Sequence, residues 1–132
     1  MLEQEKDPRL LNDVKERLKW ITYKEKEILY EDYTNLTGNE IAIRVPIFSH
    51  LEFKMGKKDM LLIVDLSNSF ASKAAVKAFT EAGKVTEELF SKTAVLGITG
   101  VKKILLNVVN KLTSVNAKPF TDIESAKDYL IK

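Results

Sequence analysis

The sequence predicts an α/β fold in which helices pack against a mostly parallel, open sheet of about five strands that begins with a β-hairpin. Two segments, MLLIVDL and TAVLGI, are continuous apolar runs, which is the pattern of strands buried on both faces. A helical pattern follows each of them, and repeated β-α-β units form parallel sheets. The 132 residues suffice for one such domain and do not require a second.

The N-terminal part predicts a helical arm over residues 1–18, followed by a single α/β domain over residues 19–132. Pro8 suits a first helical turn, and apolar residues recur after it at helical spacing. These residues are Leu10, Leu11, Val14 and Leu18. The segment KWITYKEKEILYEDY then has two β-rich runs around a polar KEKE turn, which predicts the hairpin.

Residues 37–55 have an ambiguous pattern. Apolar residues alternate from Ile41 to Val45 as in a strand, but Ile41, Val45 and Phe48 also recur as in a helix. Pro46 disfavours a regular helix interior, because it lacks an amide donor and would clash with the carbonyl of Ala42. The periodicity alone leaves both structures open.

The C-terminal half predicts three further helices and an edge strand. SKAAVKAFTEAGKVTEELF predicts a helix with a break or kink at Gly83. In GVKKILLNVVNKL, the predicted apolar face consists of Val101, Ile104, Leu105, Val108 and Leu112. Its predicted solvent side consists of Lys102, Lys103, Asn110 and Lys111. Pro119 confines NAKPF to a sheet edge, and Thr121 and Glu124 have the spacing of a capping box for the last helix.

Composition excludes several kinds of site. No cysteine occurs, so disulfides, thiol nucleophiles and Cys-bound metals are ruled out. His50 and Asp59 lie in no metal-binding spacing, and we predict neither a metal nor a cofactor. The chain is charged from its third residue, and no run approaches the ~20 apolar residues of a membrane span. We therefore expect a cytoplasmic protein with no membrane span.

The net charge of +2 is too small to indicate nucleic-acid binding, and we predict none, but the charge is unevenly distributed along the chain. Residues 1–66 carry 11 Lys and Arg against 13 Asp and Glu, whereas residues 67–132 carry 10 against 6. Between Glu88 and Asp122 there is no acidic residue. This region should attract anions.

Three segments together resemble a known family. LLIVDLSNSF, KTAVLGITGVKKILLNVVNKL and KPFTDIESAKDYL, in this order, are similar to STAS domains, the fold of anti-sigma-factor antagonists. More narrowly, the segments resemble the small stand-alone bacterial antagonist-like proteins, whose fold is also likened to the CRAL-TRIO domain. The resemblance covers Trp20 to Ile131. It implies that residues 37–55 form a helix, which we expect to be kinked at Pro46. Regulated antagonists carry Asp-Ser-Ser/Thr-Gly, which SNSFASKAAV lacks.

The turn SNSFAS follows the first buried strand and is the first candidate site. Ligands bind beyond the carboxyl ends of strands in such sheets, and Asp65, Ser67, Asn68 and Ser69 lie there. A catalytic serine needs an oriented base, and the single histidine follows no such motif, so we predict no enzymatic activity. The alternative is an ordinary turn in which Ser72 caps the next helix.

The segment GITGVKK is the second candidate site. A glycine turn that opens a helix can direct amides at an anion, and the candidate residues are Thr99, Gly100, Lys102 and Lys103. The glycine spacing matches no nucleotide-binding fingerprint. The alternative is a tight strand-to-helix turn with solvated lysines.

These observations predict a non-catalytic binding domain. It would recognise a protein partner or a small anionic ligand through both turns, and it could form a homodimer. The competing prediction is a carrier or sensor of a small apolar, lipid-like ligand, with Phe48, Leu51 and Phe53 lining its pocket.

Overall fold

Strands and helices alternate along the chain after an N-terminal helix. The computed structural model describes residues 6–132, so residues 1–5 of the predicted arm lie outside the described residues. In chain order the elements are α1 (Pro8–Arg17), β1 (Leu18–Tyr23), β2 (Lys26–Asp32), α2 (Gly38–Lys54), β3 (Met60–Asp65), α3 (Lys73–Thr86), β4 (Phe90–Leu96), α4 (Val101–Leu112), β5 (Lys118–Phe120) and α5 (Ile123–Leu130).

The predicted hairpin is formed by β1 and β2. Tyr23 pairs with Lys26, so Lys24 and Glu25 make a two-residue turn. Both turn residues have positive φ, 48° and 69°, which suits the right-handed twist of the flanking strands. The remaining pairs, β2 with β3, β3 with β4 and β4 with β5, are parallel. The sheet is therefore mixed, with one antiparallel pair at its N-terminal edge.

The strands lie in the sheet in the same order as in the chain, β1-β2-β3-β4-β5. Crossovers between parallel strands are almost always right-handed, so a chain that always steps in one direction places its crossover helices on one face. The first core joins residues of α1, α2 and α3 with β2, β3 and β4, and α4 packs against it through Leu106. The second core, on the opposite face, is covered by α5 through Ala126 and Leu130.

Helix α2 runs through Pro46 and answers the ambiguity of residues 37–55. It begins with a capping box in which Glu40 N donates to Thr37 Oγ1 at 3.2 Å and Thr37 N donates to Glu40 Oε1 at 2.9 Å. Ile41, Val45 and Phe48 are all buried on one side. The apolar area that these residues remove from water outweighs the cost of the missing proline amide.

Two local predictions are wrong. Gly83 does not break α3, which continues to Thr86. A Cβ there would lie 2.9 Å from Thr113 Cγ2, so the glycine allows the segment after α4 to pack closely. The cap of α5 is Asp122 rather than Thr121, because Asp122 Oδ1 accepts from Ser125 N at 2.8 Å.

Asn110 was expected to face solvent, but its side chain holds the start of the chain that leads into β5. Its Nδ2 donates to Ala117 O and its Oδ1 accepts from Ala117 N, each at 2.9 Å. Ala117 is buried. The amide side chain therefore supplies the two backbone partners that a further strand would otherwise provide.

Replacing Asn110 by Ala should lower the free energy of unfolding by about 1–3 kcal/mol, because two buried backbone groups lose their partners. Asn107 lies exposed on the same helix, so Asn107→Ala should stay within about 0.5 kcal/mol of the wild type. Urea unfolding of both variants measures the difference. Equal losses in the two variants would contradict the role of Asn110.

Candidate functional site

Asp65 ends β3, and its carboxylate is satisfied within the protein. It accepts hydrogen bonds from the hydroxyl of Tyr30 and, at 3.0 Å, from Ser67 N. The Tyr30 and Asp65 side chains lie on the sheet face that α5 covers, which follows from their alternation with buried neighbours such as Ile63. Asp65 is buried, and its hydrogen bond from Ser67 N holds the start of the following turn in place.

The loop after β3 is joined to the loop after β2. Asn68, with φ of 55°, donates from its side-chain amide to the side-chain oxygen of Asn35. Ser69 is buried and its hydroxyl donates to Leu66 O at 2.6 Å. Ser72 caps α3 as predicted, accepting from Ala75 N at 3.1 Å. The serine hydroxyls at 69 and 72 are thus engaged with backbone.

Lys102 bridges the ends of β3 and β4. Its Nζ donates to Leu66 O and Gly97 O, each at 3.1 Å, and burial lowers its pKa. Gly97 has φ of 80°, and a Cβ on it would lie 2.4 Å from Ser67 N. The two predicted turns therefore touch each other. Lys102 holds them together and was wrongly assigned to the solvent side.

Two backbone amides at the start of α4 already donate hydrogen bonds within the protein. Lys102 N donates to Thr99 O and Lys103 N donates to Gly100 O, each at 3.1 Å. Gly100 is the N-cap with φ of 55° and offers no side-chain cap. Of the eight predicted site residues, Asn68, Thr99, Gly100 and Lys103 face solvent.

The outer side of α4 is an apolar stripe made of four of the five residues that the sequence predicted to form the buried face of this helix, so the prediction is wrong for these four. Relative exposure is 64% at Val101, 65% at Ile104, 38% at Val108 and 54% at Leu112. We call these four residues the α4 stripe. They recur at three- and four-residue intervals, so they lie along one side of the helix. The inner side carries Leu105, Leu106 and Val109.

A cavity of about 130 Å³ lies between the sheet and helices α2, α3 and α4. Most of its lining is apolar and includes Leu62, Val95, Phe79, Leu106 and Val109. Phe70 and Ala71 also line it and are exposed. The cavity therefore reaches the surface at the loop after β3.

The three apolar residues predicted to line a pocket lie elsewhere. Phe48 is fully buried in the core, with its ring 4.8 Å from that of Tyr33. Phe53 is exposed, and Leu51 packs against the edge of the core. None of them lines the cavity. The pocket prediction named the wrong residues because it placed the cavity under α2 alone.

Two buried glutamates face this cavity, and the sequence reasoning missed them. Glu31 on β2 and Glu52 on α2 interact directly through their carboxyls, and the Tyr33 hydroxyl donates to Glu31 Oε1 at 3.0 Å. Glu52 is only 2% exposed, and its Oε2 has no hydrogen-bond partner. The one available signal was that Glu52 continues the buried helical pattern of Ile41, Val45 and Phe48.

The two carboxyls have raised pKa values. Burial raises the pKa of Glu31, and hydrogen bonds from Glu52 and Tyr33 partly oppose this. Burial, the neighbouring charge of Glu31 and their hydrogen bond raise the pKa of Glu52 well above its ordinary value of 4.5. Two close carboxylates repel each other in a medium of low dielectric, so the pair takes up a proton more readily than two separate surface carboxyls do.

In residues 6–132, no group of three or more His, Asp or Glu side chains could hold a metal ion. Among the helices of that same range, none has the length and apolar character needed to cross a membrane.

Comparison with known proteins identifies the fold. The sequence matches no protein-family model and no curated protein. Among solved structures, it is similar to an uncharacterised protein of the DUF3478 family with a SpoIIAA-like fold from Shewanella loihica PV-4. The two are 16% identical with a TM-score of 0.64, over 86% of this chain and 91% of the other. The domain therefore has a SpoIIAA-like fold, which confirms the STAS-like resemblance at the level of fold.

The carboxyl pair predicts an unusual dependence of stability on pH. A carboxyl with a raised folded-state pKa keeps its proton after the unfolded chain has lost it, so stability falls as pH rises above about 4.5. We expect Glu52→Gln to be more stable than the wild type by about 1–3 kcal/mol at pH 8, with a smaller gain at pH 5.

Chemical denaturation at pH 5, 6, 7 and 8 measures this difference. Glu81→Gln is the matched control, because Glu81 is exposed on α3 and its removal should leave the pH dependence unchanged. A Glu52→Gln curve parallel to that of the wild type would rule out a titrating buried pair.

Proposed function

We propose that this domain is a non-catalytic binding module that recognises a protein partner through the α4 stripe. The observation that carries the proposal is the exposure of four aliphatic side chains along one side of a single helix. Helices of globular proteins normally turn such a side towards a core. An apolar strip left at the surface is characteristic of an interaction site.

Charge indicates the chemistry of the partner. Lys103 and Lys111 are exposed on α4, and no acidic residue occurs between Glu88 and Asp122. A complementary segment would present apolar residues flanked by Asp or Glu. We therefore propose that the occupant is an acidic amphipathic segment of another protein, which pairs its apolar face with the stripe and its carboxylates with these lysines.

The exposed loop residues extend this surface at the N-terminal end of α4. Asn68, Thr99, Gly100 and Lys103 would form its polar rim, and Phe70, which is 66% exposed, would supply an aromatic contact. Asp65, Ser67, Ser69 and Lys102 would act indirectly, by holding the two loops in place. A small anion is a weaker candidate, because the ammonium of Lys102 is already hydrogen-bonded to two backbone carbonyls.

The same geometry supports a non-catalytic role. The hydroxyls of Ser69 and Ser72 are bound to backbone groups rather than to a base. A serine nucleophile requires a base within hydrogen-bond reach. The SpoIIAA-like fold, together with the resemblance to STAS domains, fits a regulatory domain that works by association.

Site-specific photo-crosslinking in cells tests the proposed occupant. A photoreactive residue at Ile104 should form adducts with an acidic amphipathic peptide of another protein. Val85 is the matched control position, because it is an exposed aliphatic residue on α3 with 59% exposure. Adducts with lipid, adducts with a second copy of the chain, or a yield no higher than from Val85 would overturn the proposal.

The affinity of the identified peptide then gives the energetic check. Ile104→Asp together with Val108→Asp should weaken binding by at least about tenfold, because charges replace buried apolar contacts. Val85→Asp should leave the affinity unchanged. Fluorescence anisotropy of the labelled peptide measures both, and equal affinities for the wild type and the double variant would contradict the role of the stripe.

A further inference from the structure

The unpartnered oxygen of Glu52 is the most unusual polar atom in the described part of the chain. It lies on a side chain that is 2% exposed and that lines the apolar cavity. A buried acceptor without a donor is costly, and more so where the group shares a negative charge. Proteins keep such groups chiefly where they have a use.

No hydroxyl of the cavity lining donates to the unpartnered oxygen of Glu52. The hydroxyl of Tyr33 donates to Glu31, that of Ser49 to Val45 O and that of Thr86 to Ala82 O. A molecule that completes this site must therefore bring its own donor.

The size and lining of the cavity limit the rest of the molecule. At about 130 Å³ it is close to the engineered apolar cavity of about 150 Å³ that takes up benzene. Its mostly apolar walls favour a compact hydrocarbon body. The exposed residues Phe70 and Ala71 at its rim give a route from solvent.

We propose that the cavity binds a small apolar amine, with the hydrocarbon body between α3 and α4 and the ammonium group on Glu52 and Glu31. An ammonium group brings the donor that the Glu52 oxygen lacks, and its positive charge offsets negative charge on the carboxyl pair. The other charged residues lining the cavity are Lys102, whose Nζ is bound to Leu66 O and Gly97 O, and Glu87, which accepts from Ser114 N. The α4 stripe lies on the outer side of α4, away from Glu52 and Glu31, and the proposed partner surface meets this site only at Phe70 on the rim of the cavity.

Paired probes test the proposal on the intact protein. Cyclopentylamine carries the proposed ammonium, and methylcyclopentane has the same shape with a methyl group in its place. NMR titration at pH 7 should give the wild type at least tenfold tighter binding of the amine than of the hydrocarbon. Glu31→Gln together with Glu52→Gln removes both carboxylates and should abolish that preference, while this double variant binds methylcyclopentane within twofold of the wild type, which also verifies its fold and cavity.

Glu81→Gln, which removes an exposed carboxylate from α3, is the matched control and should retain the full preference. Equal binding of both probes by the wild type would mean that water satisfies Glu52, and this would overturn the proposal. A preference that persists in the double variant, or the absence of binding by either probe, would overturn it as well. None of these outcomes bears on binding at the α4 stripe.

Discussion

The order of the strands is the constraint from which both candidate sites follow. Because the chain steps through β2, β3, β4 and β5 without reversing, its three crossover helices occupy one face of the sheet. Helix α4 comes last and lies at the side where β5 is only three residues long. There is little sheet beneath it, and none of the helices formed by residues 6–132 lies beyond it on this face. Its outer side is therefore left exposed, and its inner side stands over a gap that α3 does not fill.

Lys102 was predicted to contact a ligand, but it has a structural role at the carboxyl ends of β3 and β4. Parallel strands bring Leu66 and Gly97 side by side, and both carbonyls point towards the base of α4. Backbone carbonyls at a strand end need donors, and the Lys102 ammonium donates to both of these carbonyls. The ammonium loses hydration but replaces it with carbonyl oxygens. This exchange ties the two loops into one surface, on which the more exposed Lys103 remains available.

The sequence predicted which segments form helices and strands better than it predicted which side of each is buried, and the reason is physical. Continuous apolar strands and capped helices are local patterns, so β3, β4 and α2 could be recognised from their residues and from the STAS resemblance. Helix α4 has aliphatic residues on both sides, so its periodicity does not decide which side is buried. Ile104 and Leu106 are equally apolar, yet only the second packs against the core. The Glu31 and Glu52 pair is a contact between elements 21 residues apart, which no local pattern encodes.

Helix α4 separates the two proposed sites by only its own thickness. Leu105, Leu106 and Val109 line the cavity, whereas Ile104 and Val108 belong to the outer stripe. A ligand that shifts α4 in either direction would change the geometry offered to a partner. Thermodynamic linkage then requires the partner to change the ligand's affinity by the same factor. If neither α4 nor Phe70 moves, the two binding events are independent, since groups that keep one position cannot transmit a preference between them.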